Sequence, residues 1–172
     1  MGLVKKARAF AMEAHAGVLR KGSGEPYFNH VERVALALAA HGFPDEVVAA
    51  GYLHDVVEDC PVSNADLVRE FGPEVAALVA EVTKPKLPKT PGNRAWRKAI
   101  EAEHVAKTGY NGASLKLADI ADNAVGCLAV PSFAKVYLPE LVDKVAAVSH
   151  GHPDLVAKAK ANISDGLASL PT

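Results

Sequence analysis

The sequence predicts an all-α fold, and three observations carry that reading. Apolar residues recur at helical spacing almost continuously from residue 3 to residue 168, and no stretch reads convincingly as a strand. Hydrophobic residues make up 49% of the chain and aromatics only 6%, with Ala, Val and Leu dominant, which suits helices packed through small side chains. At 172 residues the chain fits one domain, residues 1–172, large enough to bury a core without external staples. About eight helices are expected.

The elements follow in order. Apolar or small residues at 3, 4, 7, 10, 11 and 14 mark a first helix, which "GVLRKGSGEPY" interrupts with three glycines and a proline. A second runs from about Asn29 to Ala40 and stops at "HGFP". A third starts at Pro44, with Asp45 and Glu46 near its positive end, and continues through "EVVAAGYLHDVVED" to Pro61. Ser63, Asn64 or Asp66 caps a short helix ending at Phe71-Gly72, and Pro73 opens the next. "KPKLPKTPGN", residues 84–93, has three prolines and three lysines and is expected to be an irregular basic loop. Helices resume at about 94–107, 112–129, 132–148 and 153–168.

The charge balance excludes little but directs attention inward. Formal net charge is −1, so nothing in it points to a nucleic-acid or membrane partner. No apolar run approaches the roughly 20 residues that span a bilayer. The N-terminus reads as an amphipathic helix rather than a signal core, and Lys6 breaks the myristoylation pattern after Gly2. Cys60 and Cys127 are too few for a zinc knuckle and are expected as buried free thiols rather than a disulfide. A cytoplasmic protein is expected. Oligomeric state is not legible.

The chemistry concentrates in "LHDVVED", residues 53–59, where His54, Asp55, Glu58 and Asp59 stand among Leu53, Val56 and Val57. A buried carboxylate requires a cation or several donors. Alone, the His54-Asp55 pair reads more readily as a capped or surface-exposed pair. His30, however, falls on the inward side of the second helix beside Val34 and Ala37, and Asp119 lies among Leu115, Leu117, Ala118 and Ile120. Two imidazoles and two carboxylates on buried helix faces fit one site for Mn²⁺, Fe²⁺ or Zn²⁺ better than one for Ca²⁺. Glu58, four residues after His54, is expected on the same helical face.

The order His30, His54-Asp55, Asp119 resembles the HD superfamily of metal-dependent phosphohydrolases. More narrowly, "RKGSGEPYFNH", "LHDVVED", "FGPEVAALVAEVTK" and "LKLADIADN" resemble the hydrolase domain of RelA/SpoT-type alarmone enzymes and the free-standing small alarmone hydrolases, over about residues 5 to 130. The resemblance implies a single HD-type helical domain. It makes His30, His54, Asp55 and Asp119 ligands of one Mn²⁺, and Glu58 and Asp59 the pair that activates or orients the attacking water. Arg20 and Lys21 match a basic pair over the nucleotide, Arg20 suited to stacking and Lys21 to phosphate. Asn123 matches an asparagine that contacts the nucleoside. Of the basic segment that follows, Lys89 and Arg94 are the preferred contacts for distal phosphates.

The implied reaction is removal of the 3′-diphosphate from guanosine tetra- or pentaphosphate, or an adenosine counterpart, with release of pyrophosphate. Another nucleotide phosphohydrolase, or a silent nucleotide-binding module, would carry a similar ligand set. Two departures stand out. The family often has Asp-Arg-Leu-His-Asn where this chain has Asp119-Ile120-Ala121-Asp122-Asn123, and "RKGSGEPY" is one residue longer than the common "RKSGEPY". Both bear on base selectivity rather than on the ligands.

Overall fold

Helix is the only regular secondary structure among the residues described by the computed structural model, 2–85 and 93–171; the nearest approach to a strand is an isolated bridge between Leu19 and Pro26. The all-α expectation holds. The chain divides into two units, Met1–Thr83 and Lys84–Thr172.

The first unit contains α1 (Leu3–Ala14), α2 (Phe28–Ala40), α3 (Asp45–Leu53), α4 (Val56–Asp59), α5 (Asn64–Phe71) and α6 (Pro73–Val82). Its centre is α3, against which α1, α2 and α6 all pack. Every residue of α3 from Val47 to Leu53 is buried, as an element surrounded on all sides requires. The stripe on α2 is narrower, with His30, Val31, Val34, Ala35 and Leu38 buried at helical spacing. Gly51 sets the distance between these two helices. A Cβ there would stand 2.9 Å from Leu38 Cδ1 and 3.0 Å from Ala35 Cα, so only a glycine lets α3 lie this close to α2.

The expected third helix does not run unbroken to Pro61. It stops at Leu53, passes through a turn at His54-Asp55, and resumes as the single turn α4. Asp55, at φ −102° and ψ −6°, sits in the bridge region of backbone space, and its carbonyl accepts from Glu58 N at 3.1 Å and Asp59 N at 2.9 Å. Glu58 and Asp59 therefore belong to a new first turn, not to the tail of a long helix. This break also adds a helical segment to the number expected.

At α5 the cap is Ser63. Its Oγ accepts from Asp66 N at 3.2 Å while Asp66 Oδ2 accepts from Ser63 N at 2.9 Å, a reciprocal capping box. Hydrogen bonds from the Ser63 side chain and backbone, and the Arg69 guanidinium, hold the Asp66 carboxyl at about 2.

The second unit contains α7 (Arg94–Val105), α8 (Tyr110–Gly126), a 3-10 turn (Cys127–Ala129), α9 (Pro131–Ala147) and α10 (Pro153–Ser169). Asn93 caps α7 by accepting from Trp96 N at 2.8 Å. Helix α8 is the core element here, packed against α9 and α10, and residues 112–121 are all buried. Within that run Lys116 and Asp119 bury together, Lys116 Nζ donating to Asp119 Oδ2 at 2.8 Å. No helix among the described residues is long and apolar enough to cross a membrane. Cys60 and Cys127 are free thiols; Cys127 is buried and Cys60 half-buried.

Candidate metal centre

Three side chains of the first unit converge. His30 Nε2 lies 3.5 Å and His54 Nε2 3.2 Å from Asp55 Oδ2, and the two rings meet edge-on with centroids 5.2 Å apart. Both imidazoles are only 1% exposed, while the Asp55 side chain keeps a 16% opening to solvent. One ligand atom from each lies within 4.8 Å of the others, close enough to face a single ion.

The fold builds this arrangement from local parts. His30 enters on the buried face of α2. His54 follows Gly51 by one turn, and its Nδ1 lies 2.8 Å from Gly51 O. A carbonyl can only accept, so Nδ1 carries a proton and Nε2, on the side of Asp55, is the ring atom left to face an ion. Asp55 Oδ2 lies 3.2 Å from His54 Nε2, so the two neighbouring side chains bend to one side although adjacent helical positions point about 100° apart. Tyr27 OH donates to Asp55 Oδ2 at 2.7 Å and fixes the carboxylate's orientation. Two imidazoles and one oriented carboxylate form a donor set that fits a first-row divalent cation.

Beyond this cluster, the predicted site residues fall in distinct settings. Glu58 is half-buried and Asp59 exposed on α4, directly after the cluster. Arg20 is largely covered and paired with Glu25, at 3.4 Å, while Lys21 is exposed in the same loop. In the second unit, Asp119 Oδ2 accepts from Lys116, and its Oδ1 accepts a short hydrogen bond from Asn123 Nδ2. Asn123 thereby orients Asp119. Arg94 is exposed and bound to Glu140 through Nε and Nη2, the latter at 3.0 Å. Lys89 lies outside the described residues.

Sequence reasoning passed over Tyr27, His15, Glu25 and Lys116. His15 is 2% exposed, its ring centroid 4.9 Å from that of Tyr27 and its Nδ1 3.5 Å from Cys60 Sγ. Burial pushes its pKa down against the opposing pull of Asp55 and Asp59. Its signal was present, since Ala7 and Ala11 on the buried face of α1 and His15, just past its end, fall at four-residue spacing. Burial, aided by Asp59 and Asp55, raises the pKa of the Cys60 thiol and keeps it protonated.

The family described as HD domain matches residues 7–108. Over 84 residues, 49% of this chain and 11% of the relative, the sequence is 42% identical to a probable guanosine-3′,5′-bis(diphosphate) 3′-pyrophosphohydrolase of Mycoplasma pneumoniae. Over 117 residues, 66% of this chain and 63% of the relative, it is 39% identical to the guanosine-3′,5′-bis(diphosphate) 3′-pyrophosphohydrolase MESH1 of Drosophila melanogaster. The chain thus spans less than two thirds of the length of these curated relatives. Among solved structures, a metazoan ortholog of SpoT that hydrolyzes ppGpp is similar with a TM-score of 0.83 and 29% identity, covering 96% of each chain. A crystal structure from Listeria monocytogenes EGD-e is similar with a TM-score of 0.67 and 32% identity, over 82% of this chain and 95% of that one. The adjacent His54 and Asp55 at the heart of the cluster lie within a match that covers more than half the sequence, and the chain belongs to the HD domain family.

Proposed function

We propose that the chain hydrolyses the 3′-diphosphate of guanosine tetra- or pentaphosphate alarmones, or of their adenosine counterparts, and releases pyrophosphate. The observation that carries this reading is the convergence of His30, His54 and Asp55 on one point, in a chain similar to named 3′-pyrophosphohydrolases. Mn²⁺ is the proposed ion, with Asp119 as a fourth ligand. The two units are proposed to act as one hydrolase domain over residues 1–172; the family match, which runs across their junction, supports this. A cytoplasmic setting is part of the same reading and suits two free thiols.

A divalent ion held there supplies Lewis acidity toward phosphoryl oxygen and water. The chain's own groups do the rest. Water oxygen bonds to the phosphorus attached to the 3′ oxygen, and the bond between that phosphorus and the 3′ oxygen breaks. The products are pyrophosphate and a nucleotide with a free 3′-hydroxyl. Glu58, three residues after Asp55 and half-buried, takes the water proton and returns it to the departing 3′ oxygen, and Asp59 orients the water. Arg20 stacks on the base, Lys21 meets phosphate and Asn123 the nucleoside. Lys89 and Arg94 are assigned to the distal phosphates, Arg94 exchanging its Glu140 partner for phosphate.

The test is metal content together with turnover. His54→Ala and Asp119→Ala should each lose the ion and the activity, and chelation should inactivate the unaltered protein until Mn²⁺ is restored. Full metal content in both variants would sink the ligand assignment.

A further inference from the structure

The loop that carries Arg20 and Lys21 is built on glycine. Gly22 and Gly24 both take positive φ, at 92° and 71°, which residues with a Cβ rarely adopt. Such a loop accommodates the extra residue in "RKGSGEPY", but its side chains need outside support to hold one orientation. The backbone closes the base of the loop, Arg20 N donating to Glu25 O at 2.8 Å, Gly24 N to Arg20 O at 3.0 Å and Tyr27 N to Val18 O at 2.9 Å. Arg20 and Glu25 become direct cross-loop neighbours.

One carboxylate then gathers the side chains. Glu25 Oε1 accepts from Arg33 Nη2 at 2.8 Å and Glu25 Oε2 from Arg33 Nη1 at 3.0 Å, a bidentate pair with α2. Arg20 Nη1 donates to Oε1 at 3.4 Å, and Asn29 Nδ2 approaches Oε2 at 3.5 Å. Asn29 and Arg33 are one helical turn apart and flank His30 in sequence. Arg20 is not a loose surface cation: its side chain is 11% exposed, against 44% for Arg33.

We propose that Glu25 is a positioning residue that clamps the Arg20 guanidinium and fastens the glycine loop to α2, the helix carrying His30, so that Arg20 meets the nucleotide already oriented. The inference rests on the assignment of Arg20 to nucleotide binding. An isolated exposed ion pair contributes little, but a fork shared by two guanidiniums and an amide is a network, and its loss frees the loop from the helix. The direct contact with substrate remains that of Arg20.

The experiment compares Glu25→Gln, Arg20→Ala and the double variant, with Mn²⁺ and guanosine tetraphosphate supplied. Glu25→Gln should raise KM by about tenfold, the scale of one charge-assisted contact, with kcat within about threefold. The double variant should lose much less than the product of the two single losses, because most of the clamp's effect on KM runs through Arg20. An unchanged KM in Glu25→Gln, or losses that multiply in the double variant, would overturn the proposal. A second arm needs no substrate. Amide hydrogen exchange at residues 20–24 should quicken in Glu25→Gln, and unchanged exchange there would also overturn the clamp. Failure of the unaltered protein to hydrolyse any 3′-diphosphate would count against the proposed function, and the exchange arm would then decide the clamp by itself.

Discussion

Gly51→Ala should destabilise this protein, against the sign that helix propensity alone predicts. In the interior of α3, replacing glycine by alanine would ordinarily stabilise by about 1 kcal/mol. Here the new methyl would stand 2.9 Å from Leu38 Cδ1, 3.0 Å from Ala35 Cα and 3.4 Å from Ala35 Cβ. Carbon contacts favour about 3.5–4.0 Å, so relief requires α3 to move off α2 by roughly half an ångström. Leu38 is fully buried and cannot swing into solvent, and the Ala35 contact is with backbone. Overpacking of this kind costs about 1–3 kcal/mol, and the backbone clash places Gly51 in the upper part of that range. After the propensity gain, a net loss of about 1–2 kcal/mol remains. The midpoint of thermal unfolding should fall by about 2–8 °C. Urea unfolding followed by circular dichroism measures the same loss. A variant as stable as the unaltered protein, or more so, would refute the close-packing argument. The substitution should also weaken ion retention, since Gly51 O holds His54 Nδ1.

Other expectations reach different parts of the account. Tyr27→Phe removes the donor to Asp55 Oδ2 and should weaken Mn²⁺ affinity about 10–100-fold by calorimetric titration, while unfolding changes little. Glu58→Gln should keep the ion and nucleotide but slow turnover by roughly 10²–10⁴; a rate within about threefold would move the base to Asp59. Lys116→Met breaks a buried ion pair and should cost about 3–5 kcal/mol in metal-free protein. Mn²⁺ should recover part of that loss if Asp119 is a ligand, and a melting profile indifferent to Mn²⁺ would deny it. Buried His15 has a depressed pKa, so its contribution to stability is fully present above the unfolded value of about 6.5 and is lost as pH falls through the lower folded value. His15→Gln should flatten that acid limb in melts taken across the range. For Glu25, held at about 2 chiefly by hydrogen bonds from Arg33, the same sign applies at lower pH, and its clamp should persist through pH 5.

The sequence carried the helices well because their apolar periods are strong and proline or glycine marks many of the ends. His30 was legible as an inward polar residue on an otherwise apolar face, and His54-Asp55 as charge inside a buried run. The interruption at those two residues was not legible. "YLHDVVED" contains no glycine or proline to mark a break, and the Tyr27 hydroxyl that meets Asp55 comes from 28 residues away. For α5, three capping candidates were available, and only the reciprocal pairing of Ser63 with Asp66 selects one. Tyr27 and Glu25 lie in a quoted motif, yet their partners stand 28 and 8 residues away and periodicity cannot pair them. Lys116 was closer to hand, three residues before Asp119 in an apolar helix, where a buried carboxylate calls for a cation.

The most direct test of the account is phosphorus NMR of guanosine tetraphosphate turned over by the Mn²⁺-supplied protein in ¹⁸O-water. Attack at the phosphorus bonded to the 3′ oxygen predicts pyrophosphate carrying one ¹⁸O, together with unlabelled guanosine 5′-diphosphate bearing a free 3′-hydroxyl. Release of orthophosphate as the first product, or ¹⁸O in the nucleoside, would contradict it.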